Sequence, residues 1–119
     1  MEDPFREFLG VKVLECKPGF AKVEGVVREE FTNFLGFAHG GYLVSLADFA
    51  LGVAANADGV KRFAISIGLD FVSPAEIGDR LIAEAELVGG GRRVSFYEMR
   101  ILKEERIVAK GRAIVYAKS

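Results

Sequence analysis

The residues best suited to chemistry fall between Asn33 and Asp48, a stretch that reads N-F-L-G-F-A-H-G-G-Y-L-V-S-L-A-D. It holds the only histidine of the chain, His39, followed directly by the glycine pair Gly40 and Gly41. From Tyr42 to Ala57 almost every residue is Leu, Val, Ala, Phe or Gly, and the polar members are Ser45, Asp48 and Asn56. Such a run predicts a helix from about Gly40 to Ala57 that is apolar on all sides and therefore buried. A carboxylate in its middle demands an explanation, because burying an unpaired charge is costly or forces protonation. Desolvation would raise the pKa of Asp48 and make it a stronger base. The first N–H groups of a helix have no partner within it and suit an anion. No Ser, Thr, Asp or Asn stands directly before this helix to cap them, and glycine lets a ligand approach the backbone closely. The chemistry implied is one in which a carbonyl oxygen becomes an anion while a carboxylate takes a proton. An oxyanion donor is worth roughly 10²–10³ in rate, and a positioned base roughly 10²–10⁴.

Geometry adds a demand. Gly40 and Asp48 sit eight residues apart on one helix, about 12 Å along its axis. One carbonyl carbon cannot touch both. Either the two serve separate functions, or a site combines Gly40 of one chain with Asp48 of another, which predicts a two-fold dimer with two equivalent sites.

The elements that must position these residues can be read from period and turn signals. Residues 4–9 predict a short helical turn with Phe5, Phe8 and Leu9 on one side. Runs at 11–17 and 20–28, separated by Lys17-Pro18-Gly19, predict a hairpin. The loop before the helix carries several phenylalanines, so Phe34, Leu35 and Phe37 should line a pocket or be covered at a dimer interface. Asp58-Gly59 ends the helix. Beyond it Phe63, Ile65, Ile67, Leu69 and Phe71 alternate with Ala64, Ser66, Gly68, Asp70 and Val72, a strand closed by Ser73-Pro74. Strands at 79–88, 92–103 and 106–117 follow, with links too short for crossovers, so these last strands form an antiparallel meander. One helix on one antiparallel sheet is an α+β architecture. Because the helix is apolar all round, the sheet must curl about it, and a second copy of the chain covers the rest.

Composition narrows the classes. At 119 residues the chain predicts a single domain, 1–119. Half of it is hydrophobic, enough for a core, and the net charge of -1, from 16 basic and 17 acidic residues, offers no basic stripe for nucleic acid. Cys16 has no partner for an intrachain disulfide, and no Cys/His cluster offers a metal site. The opening M-E-D-P-F-R-E-F-L-G is too acidic for a signal peptide. The apolar helix is too short for a membrane span. A soluble cytoplasmic protein is expected.

The pattern N-x-x-G-x-x-H-G-G-x-x-x-x-L-A-D, present at Asn33, Gly36, His39, Gly40, Gly41, Leu46, Ala47 and Asp48, resembles the hotdog-fold acyl-CoA thioesterases of the phenylacetate-degradation (PaaI-like) type. The resemblance covers nearly the whole chain, including L-D-F-V-S-P at 69–74 and the glycine-rich hairpin after it. It implies a curled antiparallel sheet wrapped around one long central helix, a homodimer or a homotetramer built from two dimers, and hydrolysis of an acyl-CoA thioester. It implies no metal and no cofactor, since coenzyme A belongs to the substrate. The backbone N–H of Gly40 would bind the thioester oxygen. Asp48 would be general base or nucleophile, Asn33 would hold the carbonyl or the water, His39 would shape the turn and contact the thioester region, and Gly41 would let the substrate approach the backbone. One departure is visible. Where the family often has a Ser or Thr that orients the water, this chain has Ala64; Ser66, expected on the same side of the strand, either replaces it or leaves the role empty. Arg92 and Arg93 could meet coenzyme A phosphates or simply flank a hairpin turn, and Phe34 could line the acyl pocket. Asn33 could equally be a turn residue and Asp48 a structural carboxylate. Two other activities stay open: a non-catalytic module that binds acyl-CoA, and a dehydratase acting on hydroxyacyl thioesters with His39 as its only histidine. The acyl group is not legible, although the phenylalanines lean toward an aromatic or medium-length chain.

Overall fold

The computed structural model describes residues 2–118. The chain opens with α1 (Pro4–Phe8), started by the Asp3 side chain, which accepts from the Arg6 N–H, and by proline in the first turn, where no amide donor is needed. Phe5, Phe8 and Leu9 do not share a side as expected: Leu9 is buried beyond the helix end, whereas Phe8 is 76% exposed. The hairpin β1 (Lys12–Lys17) and β2 (Phe20–Val26) forms as the sequence predicts, turning at Gly19 with φ of +80°. A single 3₁₀ turn, Glu29–Phe31, leads through the loop to the long helix α2 (Gly40–Asn56). The last four strands are β3 (Arg62–Phe71), β4 (Arg80–Gly90), β5 (Val94–Lys103) and β6 (Arg106–Ala117).

All six strands form one antiparallel sheet in the order β1-β2-β4-β5-β6-β3. The expected meander is β4-β5-β6, while β3 crosses to the far edge and pairs only with β6. Leu46, Leu51, Val23, Leu81, Met99, Ile101 and Val115 fill the core between α2 and the inner side of the sheet. The end of α2 is fastened by Arg62, whose Nη1 donates to the Ala55 carbonyl (2.7 Å) and to Asp58 (2.9 Å), a cation at the negative end of the helix.

The helix is not buried on every side. Tyr42, Leu43, Leu46, Ala47, Phe49, Ala50 and Leu51 are covered, but Gly41 and Asp48 are exposed, and Ser45 and Gly52 are half-buried. These four positions recur at helical spacing and form one stripe that the sheet of a single chain cannot reach. Small residues on the stripe made the sequence look uniformly apolar.

Candidate active site

The loop ahead of α2 is built by Asn33. Its Oδ1 accepts from the N–H groups of Leu35 (2.9 Å) and Phe37 (3.2 Å), and its own N–H donates to the Phe37 carbonyl (2.8 Å). The turn reading of Asn33 therefore holds. Its oxygen is committed to the loop, so only the amide NH₂ is left to meet a ligand. Phe34, at the tip of this loop, is 95% exposed and Leu35 is exposed beside it, whereas Phe37 is half-buried and bridges Glu76.

Contrary to expectation, the helix does have a side-chain cap. His39 is the N-cap residue, and its Nδ1 accepts from the Gly41 N–H at 3.0 Å. Imidazole replaces the usual hydroxyl or carboxylate because its Nδ1 lone pair reaches the same position. The cap requires an unprotonated Nδ1. The N–H groups of Tyr42 and Leu43 both donate to the His39 carbonyl. Among the described residues nothing accepts from the Gly40 N–H, so one donor is open at the positive end of the helix. A Cβ at Gly40 would come within 3.2 Å of the Phe71 ring, so the bare glycine lets β3 close over this turn. Phe71 belongs to the surroundings of the site although nothing in its strand pattern singled it out. Beside the turn lies a hollow of about 250 Å³ lined by Phe5, Phe31, His39, Gly41, Tyr42 and Ser45.

Asp48 lies two turns further along α2, on the open stripe, with no hydrogen-bond partner among the described residues. It stands at the surface of the single chain, yet neighbouring atoms screen its carboxylate from water on one side. That desolvation pushes its pKa above the usual carboxylate range, and the negative charge of Asp3 pushes the same way. Asp3 was not a candidate in the sequence; only the docking of α1 on α2, through an edge-to-face contact of Phe5 on Phe49 at 5.5 Å, brings it near. The structure gathers Asn33, His39 and Gly40 at one end of the helix and leaves Asp48 of the same chain apart from them.

The family model of the Thioesterase superfamily matches residues 35–110. The chain belongs to that superfamily. It is similar to the acyl-coenzyme A thioesterase PaaI of Escherichia coli K12, with 32% identity over 104 residues, 87% of this chain and 74% of that protein. Among solved structures it resembles the TT0310 protein of Thermus thermophilus, with 40% identity, a TM-score of 0.93 and 98% of each chain covered. The E. coli PaaI protein superposes with a TM-score of 0.95 at 30% identity, over 99% of this chain and 86% of that one. The fold is the hotdog, and the chain is a thioester hydrolase.

The remaining candidates of this thioesterase are placed by strand register. Ala64 pairs with Val115 and Ser66 with Ile114, so β3 holds an extra residue, Ile65, between them. Val115 points into the core and its neighbour Ile114 points away, so Ala64 and Ser66 lie on opposite faces of the sheet. Ser66 therefore does not share the side of Ala64, and the bulge, invisible in an alternating pattern, is the reason. Arg92 and Arg93 are exposed in the turn between β4 and β5, at the end of the sheet where α2 finishes and far from its own Gly40; the Arg93 carbonyl is held by the Ala117 N–H at 2.7 Å. A hollow of about 520 Å³ lies among Gly68, Asp70, Glu84, Glu98, Arg100 and Arg112. It sits over the cross-strand row Lys22, Glu84, Arg100, Lys110, Asp70 on the face turned away from α2, and it contains none of the candidates. Among the described residues no cluster of His, Cys, Asp or Glu could hold a metal ion, and no helix is long and apolar enough to cross a membrane.

Proposed function

We propose that the chain is one hotdog domain that hydrolyses acyl-CoA thioesters to free acid and coenzyme A, working as a homodimer whose two sites are shared. The observation that carries this reading is the open Gly40 N–H at the positive end of α2, beside a bare α-carbon. In this reading Gly40 donates to the thioester oxygen as it becomes an anion. The Asn33 amide NH₂ holds the carbonyl or the water. Asp48 of the partner takes the proton of the attacking water. His39 keeps the turn rigid by holding the Gly41 N–H. Release of coenzyme A as thiolate completes the step, and the proton taken by Asp48 returns to a product group.

The outer edge of β3 supports the dimer. It has no strand partner among the described residues, and Phe63, Ile65, Phe71 and Val72 stand exposed on or beside it. A long apolar edge of this kind is a template for pairing with a second chain. Two-fold pairing along β3 would run the two α2 helices antiparallel, which brings the middle of one toward the start of the other. The similarity to PaaI proteins supports acyl-CoA as substrate class. The test is thiol release from a panel of acyl-CoAs, short, medium and aromatic. Turnover on at least one bears the reading out. Tight binding without thiol release would show a non-catalytic module instead, and consumption of a hydroxyacyl-CoA without thiol would show a dehydratase.

A further inference from the structure

Arg28 lies outside every motif of the site, is exposed, and nevertheless stands at the start of an unbroken set of contacts that ends on the Gly40 turn. Its Nη2 donates to the Phe8 carbonyl at the end of α1, 3.1 Å away. Its guanidinium carbon lies 4.4 Å above the centre of the Phe31 ring. The same ring stacks on Tyr42, with centroids 4.5 Å apart and planes 18° from parallel. Tyr42 is in the first turn of α2, and its hydroxyl is seated where any side chain at Gly25 would collide with it. The backbone carries the second half. The Phe31 carbonyl accepts from the His39 N–H at 2.7 Å, and His39 in turn holds the Gly41 N–H. Both anchors of the turn that presents the Gly40 N–H, the Tyr42 ring and the His39 backbone, therefore pass through Phe31. The guanidinium clamps Phe31 from outside and ties it to α1.

We infer that Arg28 is a positioning residue for this thioesterase: through Phe31 it fixes the direction in which the Gly40 N–H points. The inference rests on the reading of Gly40 as the oxyanion donor. A planar guanidinium suits the task, because it can lie flat on an aromatic face while one nitrogen donates sideways to a carbonyl. The point charge of a lysine can keep the cation over the ring but lacks the fork. A displacement of about 1 Å at a reacting group, caused from a distance, can cost up to 10²-fold in rate.

The test uses the full chain with Arg28→Met, which keeps a linear apolar stem, and Arg28→Lys. Three readouts are taken: kcat and KM on the best acyl-CoA, Tm, and amide hydrogen exchange at His39 and Gly41. Arg28→Met is expected to lower kcat about tenfold with KM within twofold, and to speed exchange at both amides about tenfold or more. Arg28→Lys should recover part of both. A kcat within twofold of wild type overturns the inference, as does a loss of kcat with unchanged exchange at His39 and Gly41. A loss explained wholly by a lower Tm, with no recovery in Arg28→Lys, overturns it as well. Exchange does not depend on turnover. If wild type releases no thiol from any acyl-CoA while Arg28→Met still loosens the two amides, the oxyanion reading fails and the mechanical link stands alone.

Discussion

At the scale of the residue, Asp48 is governed by the difference between what the sequence implied and where the carboxylate lies. It is a surface group on a single chain, and its raised pKa comes first from partial desolvation and then from Asp3. If Asp48 is the proposed base it must be ionised to act, so its raised pKa should move the acidic limb of the activity profile above that of an ordinary carboxylate. Asp3→Asn removes the second cause while keeping a good helix cap. The acidic limb of kcat is expected to move to lower pH in this variant, and an unmoved limb would separate Asp3 from the base. Asp48→Asn should lose most turnover, and a variant within threefold of wild type on its best substrate would rule out the assigned role. Its stability can be predicted from sign alone. The folded pKa is raised, so ionisation costs folding free energy that is absent at low pH, appears as pH rises through the two pKa values, and persists above them. At neutral pH the amide removes that cost. Asp48→Asn should melt no lower than wild type while being inactive, which thermal denaturation monitored beside a thiol assay would establish.

At the scale of the element, the bulge in β3 bears on the role proposed for Ser66. Ser66 stands on the face of the sheet turned away from α2, with Ile114 as its cross-strand partner. A hydroxyl there cannot orient a water at the helix terminus. Ser66→Ala is expected to keep kcat within twofold of wild type, and a tenfold loss would show that the register argument misplaces it. The same strand shows what could be read in advance and what could not. Alternation at 63–72 gave the strand, Pro18-Gly19 gave the hairpin, and the apolar run after Gly41 gave the helix, because each signal is local. A one-residue bulge leaves no local trace, since Ala64, Ile65 and Ser66 all fit an extended strand. The cap escaped for a related reason: His39 is not among the usual N-cap types, and its Nδ1 counts as an acceptor only once the turn geometry is known. Asn33, Gly40 and Asp48 were legible as candidates because their types and spacing survive without coordinates. Asp3, Arg28 and Phe71 were not, since each reaches the site only through the packing of distant segments.

At the scale of the whole molecule, the unmet requirement is the distance along α2. Gly40 and Asp48 are about 12 Å apart on one helix axis, and no side-chain motion closes that gap on one chain. Asn33 lies with Gly40 on the loop that enters the helix, so the two should act together, and Asp48 should come from the partner. An Asn33→Ala homodimer then carries two damaged sites, and so does an Asp48→Ala homodimer. When the two variants are mixed and their subunits exchange, each heterodimer gathers both lesions into one site and leaves the other with a wild-type Asn33 and a wild-type Asp48. With random pairing about half the dimers are mixed, each with one good site of two, so activity should return to about a quarter of wild type. If Asn33 and Asp48 served one site from the same chain, every site would keep a lesion and mixing would restore nothing. Native mass spectrometry must show that exchange occurred before the assay is read. Confirmed heterodimers without recovered thiol release would rule out the shared site.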